Sequence, residues 1–200
     1  MEPIDPVRYI TNHSSGKMGY AIAGELARRG AEVTLLSGRT ALPTPEGVEK
    51  VETLSAADMY TAATKRWSES DGAVMCAAVA DYTPARTAAT KIKKGDGDMS
   101  ILLRRTEDIA ATLGRDKGGR LLAGFALETD NELANAEAKL AKKNLDFIVL
   151  NSMRDSGACF RGDTNKVSII DRDGRTDHPL MTKREVAALI VDRIESCLNR

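Results

Sequence analysis

The sequence predicts an α/β domain: a doubly wound, mostly parallel sheet with helices on both faces. Three observations predict it. Short apolar runs alternate along the chain with segments whose apolar residues recur at helical spacing. One run, Ala73 to Ala80, is continuously apolar, as a strand buried on both faces of a parallel sheet would be. The 200 residues, 42% of them hydrophobic, contain no repeat, low-complexity run or interdomain linker, and they suffice for one domain with a real core.

The first element is announced by Thr11-Asn12-His13-Ser14-Ser15-Gly16-Lys17-Met18-Gly19, a polar run of small residues. It opens onto a helix with Met18, Ile22 and Leu26 four apart, closed by Arg28-Arg29-Gly30. Ser14 or Ser15 is expected as its N-cap, because a short hydroxyl accepts from a free backbone N–H nearby. Gly16 and Gly19 allow a ligand or a neighbouring strand close to the backbone. Exposed N–H groups and a favourable dipole make this a ready anion site, although an ordinary capping loop would read the same way. Gly16-Lys17 is not a P-loop lysine, since Thr11 and Met18 stand where that motif needs Gly and Ser or Thr. Only the last G-x-x-G of a dinucleotide fingerprint is present.

Val33 to Leu36 reads as a strand, followed by a Pro43-Thr44-Pro45 loop and a short strand from Val51 to Leu54. Ser55-Ala56-Ala57-Asp58 is a capping box for a helix with a stripe of Met59, Ala63 and Trp67, where Trp67 is a packing residue rather than a base-stacking platform. The Ala73–Ala80 strand ends in Asp81, a carboxylate at the edge where open α/β sheets bind ligands. A loop from Tyr82 to Thr90 leads to Lys91-Ile92-Lys93-Lys94. Clustered lysines are ordinarily just solvated, but on such a loop they could close over phosphates.

Met99, Ile101 and Leu103 alternate as a half-exposed strand, and Thr106-Glu107-Asp108 starts a short helix through Leu113. Leu121 to Phe125 is a strand followed by Glu128. Thr129-Asp130-Asn131-Glu132 caps a helix with Leu133, Ala136 and Leu140 on one face. Lys139, Lys142 and Lys143 lie near its C-terminus, where the dipole favours cations whatever their function. Phe147 to Leu150 is the next strand, running into Asn151 and a glycine- and aspartate-rich loop that passes Cys159 and Phe160. A β-hairpin follows, from Val167 to Ile170 and back to Leu180 around Asp171-Arg172-Asp173-Gly174. Thr182-Lys183-Arg184-Glu185 caps a last helix whose inward face is Val186, Leu189, Ile190, Ile194 and Leu198. The expected architecture is thus Rossmann-like with a small antiparallel hairpin added.

Composition excludes several classes. Twenty-nine basic residues balance 29 acidic ones, so no global field points to nucleic acid or a membrane surface. No apolar run approaches a membrane span and no secretory h-region opens the chain. Cys76, Cys159 and Cys197 form no C-x-x-C pair and are odd in number, as expected of reduced thiols in a cytoplasmic protein. His13 and His178 have no companions at ligand spacing, which argues against zinc.

Four blocks, in order and spacing, carry a resemblance. They are Asp5-Pro6-Val7-Arg8-Tyr9-Ile10 continuing into Thr11–Gly19; Cys76-Ala77-Ala78-Val79-Ala80-Asp81-Tyr82 with Lys91–Lys94; Gly124-Phe125-Ala126-Leu127-Glu128-Thr129; and Lys139 through Asp146. Together they resemble bacterial phosphopantothenate–cysteine ligases, the synthetase half of bifunctional coenzyme A biosynthesis proteins, over nearly the whole chain. The resemblance implies a cytoplasmic enzyme of two half-reactions. The carboxylate of 4'-phosphopantothenate attacks the α-phosphate of CTP, giving an acyl-cytidylate and pyrophosphate; the amine of L-cysteine then displaces CMP. Mg²⁺ is implied as the metal shielding the triphosphate, with Asp81 its candidate ligand.

By the same resemblance Lys91 and Asn12 are catalytic, Lys91 stabilising charge at phosphorus and Asn12 handling the acyl intermediate. Nucleotide contacts fall on Cys76, Ala77, Ala78, Asp81, Lys91, Asp108, Phe125, Lys139 and Lys143. Ser14, Ser15, Gly16 and Gly19 form the phosphate or substrate site. The Lys-x-Lys-Lys form of residues 91–94 is the CTP-using pattern. A homodimer is implied, with a phosphopantothenoylcysteine decarboxylase fused upstream or acting in trans.

The chain departs from the family in two places. Thr106-Glu107 stands where the family has Asn-Pro. The family's first strand and its Gly-rich turn precede Glu2-Pro3-Ile4, so an N-terminally truncated single domain, lacking the first strand of the sheet, is expected. Two other readings differ in class. A nucleotide-binding module unable to turn over would show itself by the lack of that first strand. A nicotinamide-dependent oxidoreductase rests on fold analogy alone and lacks the full glycine fingerprint.

Overall fold

The structure, a computed structural model, describes residues 1–128, 130–152 and 162–199. Thr129 of the expected cap, and the loop bearing Cys159 and Phe160, lie outside the described residues. Two short strands, β1 (Glu2–Pro3) and β2 (Tyr9–Ile10), pair antiparallel around a turn. The polar run then delivers helix α1 (Lys17–Arg28), with Met18 and Ile22 buried. Its cap differs from expectation. Gly16 holds the N-cap at φ 75°, a left-handed conformation that would strain a serine. Ser14 and Ser15 therefore stand outside the helix, their hydroxyls accepting from the N–H groups of Gly16 (3.3 Å) and Lys17 (3.4 Å).

Strands β3 (Val33–Ser37) and β4 (Val48–Glu52) pair in parallel. The Ser55–Asp58 capping box forms as expected and starts α2 (Ala56–Trp67). Trp67 is buried, donating its indole N–H to the Asp116 carbonyl (3.2 Å), with Arg120 stacked over the ring. The apolar run departs most from expectation. Strand β5 (Gly72–Met75) ends five residues before Ala80, no residue of it is fully buried, and Cys76 to Asp81 continue as an irregular segment. Tyr82–Pro84, read as loop, is β6; it pairs antiparallel with β7 (Leu103–Arg105), all that forms of the expected Met99–Leu103 strand.

Helix α3 (Ile109–Arg115) begins later than predicted, because Asp108 is its N-cap rather than a first-turn acid. Then come β8 (Leu121–Glu128), α4 (Glu132–Lys142), β9 (Phe147–Ser152), the hairpin β10 (Thr164–Asp171) and β11 (Gly174–Thr182), and α5 (Lys183–Leu198). Asn131, in left-handed conformation, caps α4 without a side-chain bond, and Leu133 is exposed rather than on the buried face. The Thr182–Glu185 box caps α5 as expected, while Leu198 at its end is exposed.

The main sheet has the order β11-β10-β9-β8-β5. β5, β8 and β9 run parallel, and the hairpin joins β9 antiparallel, so the added hairpin extends the sheet and makes it mixed. Period-two alternation splits the core. Ala123, Phe147 and Val149 face α1 and α5, with Ile22, Val186 and Ile190. Leu122, Ile148 and Leu150 face α2, α3 and α4, with Trp67, Leu113 and Ala136. Each fully buried Leu, Ile or Phe contributes about 1.5–3 kcal/mol of transfer free energy, and this three-layer arrangement fixes the strand ends that carry the site. Pair β3-β4 stands apart from the main sheet. Leu36 of β3 nevertheless packs into the same cluster as Ala73 and Met75 of β5, so a break in the hydrogen-bond ladder, not in the core, separates them.

Candidate active site

The carboxyl ends of β5 and β8 open onto one rim, where ligands of open α/β sheets bind. The first residue on it is Asn12, exposed, its side-chain N–H donated to the Val79 carbonyl (3.1 Å). Val79 belongs to the irregular segment after β5, which displays Ala77, Ala78 and Asp81 to solvent. Thr106 ties that segment to the next strand-helix turn. Its hydroxyl donates to the Ala80 carbonyl (2.7 Å) and its N–H to the Asp81 carbonyl (3.0 Å). Two residues on, Asp108 caps α3 through the Ala111 N–H (3.0 Å) and pairs with Lys143 at 3.1 Å. Burial pushes the Asp108 carboxyl up, but the Ala111 bond and the Lys143 and Lys142 charges outweigh it and hold the group below its ordinary value. Lys139, one turn earlier on α4, donates to the Phe125 carbonyl in β8 (2.8 Å).

An unbroken set of contacts therefore links Asn12, the Cys76–Asp81 segment, Asp108, Lys143, Lys139 and Phe125. Sequence blocks more than 100 residues apart meet on one edge of the sheet. Cys76 is half-buried and contributes backbone rather than chemistry: desolvation pushes its thiol up to about 12, the nearby Lys183 charge only partly countering it. Gly19 explains why α1 sits so close, since a Cβ there would lie 4.0 Å from the Cys76 Cβ and Sγ. Ser14, Ser15 and Gly16 lie at the start of the same helix. The first turn of that helix carries no acidic residue, and its Lys17 pairs with Asp163 at 2.6 Å. A cavity of about 460 Å³ beside Lys17, Tyr20, Leu42, Pro43 and Lys183 borders this helix end, but none of the residues expected from the sequence to contact nucleotide lines it.

Lys91 is exposed on the loop after β6, as the sequence reads, but the contacts that anchor this loop were not legible there. Ile92 beside it is hydrogen-bonded through its N–H to Asp5 (3.2 Å) and through its carbonyl to Arg8 (2.7 Å). Asp5 and Arg8 were read only as part of a motif; their three-residue spacing, with proline between, was the signal of an ion-paired turn. For a metal, Asp81 offers one exposed carboxylate. Among the described residues no three His, Cys, Asp or Glu side chains gather around a common point. Among the described residues this rim therefore holds no closed cation cage.

Fold and rim together define a doubly wound α/β domain with lysines and a helix N-terminus arrayed beyond the ends of its parallel strands. The chain belongs to the family of DNA/pantothenate metabolism flavoprotein C-terminal domains, which matches residues 1–198. It is 52% identical, over 97% of its length and 55% of the relative's, to a cysteine/cysteine sulfinic acid decarboxylase of an unknown prokaryotic organism. It is 45% identical to the coenzyme A biosynthesis bifunctional protein CoaBC of Bacillus subtilis (strain 168), over 96% of this chain and 48% of that one. A crystal structure of the C-terminal domain of a CoaBC protein superposes with a TM-score of 0.84 at 43% identity, covering 99% of this chain and 90% of that one. The chain thus spans about half the length of the curated relatives it matches. Among the described residues no helix is long and apolar enough to cross a membrane.

Proposed function

We propose that this chain is a phosphopantothenate–cysteine ligase that activates 4'-phosphopantothenate with CTP and passes the acyl group to L-cysteine. The observation that supports the reading is the linked rim, on which Asn12 bonds to the segment after β5, Lys139 to Phe125 of β8, and Lys143 to Asp108. In the first half-reaction a carboxylate oxygen bonds to the α-phosphorus and pyrophosphate leaves. Lys139 and Lys143 bind the triphosphate in its ground state, and Lys91 meets charge that develops only during displacement. Asp108 accepts hydrogen bonds only, so it suits a hydroxyl or amino group of the nucleotide rather than its phosphates. The exposed backbone of Ala77 and Ala78 reads the cytosine edge.

In the second half-reaction the cysteine amine bonds to the acyl carbon, CMP leaves, and the amine releases a proton. The Asn12 amide nitrogen carries two N–H groups. One is fixed on Val79, which orients the other toward the acyl carbonyl. Ser14, Ser15, Gly16 and the head of α1 take the phosphopantothenate phosphate or a phosphate of the nucleotide. Mg²⁺ bound with the triphosphate would shield its charge, with the exposed Asp81 carboxylate as its candidate ligand. A homodimer, and a decarboxylase upstream or in trans, complete the reading. The decarboxylase named for the 52% relative is a property of a whole protein nearly twice as long as the region matched.

The test is pyrophosphate release from protein given CTP, Mg²⁺ and 4'-phosphopantothenate, with ATP as the competing nucleotide. Release should require phosphopantothenate, prefer CTP, and fall about 100-fold or more in Lys91→Ala. Folded protein that releases no pyrophosphate would refute the activity. Release unaffected by Lys91→Ala would remove Lys91 from it.

A further inference from the structure

The turn between β1 and β2 holds a buried carboxylate that the proposed chemistry leaves unused. The Asp5 side chain is 0% exposed. One oxygen accepts from the Val7 and Arg8 N–H groups (both 2.8 Å), which closes the turn. The other accepts from Arg8 Nε (2.9 Å), Arg8 Nη2 (2.6 Å) and the Ile92 N–H (3.2 Å). The same Arg8 Nη2 reaches the Ile92 carbonyl at 2.7 Å. The ion pair thus occupies both hydrogen-bonding groups of one residue, 84 positions away. Upstream, Thr87 donates to the Pro3 carbonyl (3.1 Å) and the Ala88 N–H to the Ile4 carbonyl (3.0 Å). Residues 87–92 are therefore sewn to residues 3–8 at three points, the last immediately after Lys91.

We propose that Asp5 and Arg8 are positioning residues that fix Lys91 by gripping the backbone of Ile92. Resting on the ligase reading, this makes Lys91 the fixed base of its loop and not the tip of a closing lid. Asp5 and Arg8 touch no substrate. They hold the lysine where charge develops, and a lysine that wanders by an ångström forfeits most of its effect on rate. Ground-state binding of the triphosphate, assigned to Lys139 and Lys143, does not depend on the grip. The turnover number and the Michaelis constant for CTP therefore separate.

Asp5→Asn keeps the oxygen that closes the turn and removes the one that holds Ile92. Arg8→Lys keeps the charge and loses the two-point reach. In pyrophosphate release each should lower kcat about 10- to 100-fold while the KM for CTP stays within about twofold. Trypsin reads the grip without activity. In the native protein the Lys91–Ile92 bond should be cut later than the bonds after Lys93 and Lys94, and in either variant at a similar rate. Unchanged cleavage order, or an unchanged kcat in a variant whose Lys91–Ile92 bond has opened, would overturn the proposal. If Asp5→Asn fails to fold, as its melting temperature would show, Arg8→Lys decides the matter. Lys91→Ala run alongside separates the two failures. If that variant keeps full activity the ligase role of Lys91 is wrong, and the cleavage order still decides whether the grip exists.

Discussion

At the scale of single residues, the site is a place where most side chains are held by the chain itself. Cys76 shows what this does to reactivity. A thiol raised to about 12 by burial is about one part in ten thousand thiolate at pH 8, and the thiolate is the nucleophile. In native protein at pH 8, iodoacetamide should leave the Cys76 peptide unmodified for hours, whereas in denaturant it should react like an ordinary thiol. Peptide mass mapping checks this, and equal rates in both states would show the thiol is not shielded. The sign carries over to stability. Between the ordinary thiol value and about 12 the unfolded chain has released a proton that the native state keeps, so this group destabilises the fold as pH rises through that window. The identity of Cys76 as a rim residue was legible from its motif. The raised value of its thiol was not, because the desolvation comes from α1 packing against it across Gly19.

Elements were legible where their signals are local. The boxes at Ser55–Asp58 and Thr182–Glu185 depend on residues three apart, and both form as read. The strand expected over Ala73–Ala80 fails for the opposite reason. Composition favours it throughout, but Asn12 and Thr106 capture the Val79, Ala80 and Asp81 carbonyls and bend the chain out of the ladder. The α3–α4 contact is a second case of tertiary control. Asn144, at φ 50°, ends α4 in left-handed conformation and donates to the Gly114 carbonyl (2.9 Å). A Cβ on Gly114 would stand 2.1 Å from the Lys143 carbonyl oxygen. Gly114→Ala must therefore push the end of α4 away, and with it the Lys143 partner of Asp108. Overpacking of this kind costs about 1–3 kcal/mol. The variant should melt several degrees lower and bind CTP more weakly. Calorimetry and nucleotide titration would expose the idea as wrong if the melting temperature held.

For the molecule as a whole, the alternation of strands and helices was enough to give the α/β class and the two helical layers, since each layer follows from side-chain periodicity. The course of the sheet was less legible, because pairing is set between segments and leaves little trace within any one of them. β8 and β9 have partners on both sides, whereas β5 and β3 each border the break in the ladder. Apolar packing through Leu36, Ala73 and Met75 spans that break, but packing without a ladder leaves the strand amides facing it with no partner in the sheet. Local opening should follow this division. In hydrogen exchange at neutral pH, the amides of β8 and β9, together with those β10 lends to β9, should exchange slowest and through global unfolding. Those of β3 and β4 should exchange through a separate, cheaper opening, and β5 should lie between. A single opening free energy across all six strands would mean that the core alone couples the two sheets, and the break would then carry no energetic weight. Two distinct values would identify β3-β4 as a unit that opens on its own, held to the main sheet by apolar packing and not by the hydrogen-bond ladder.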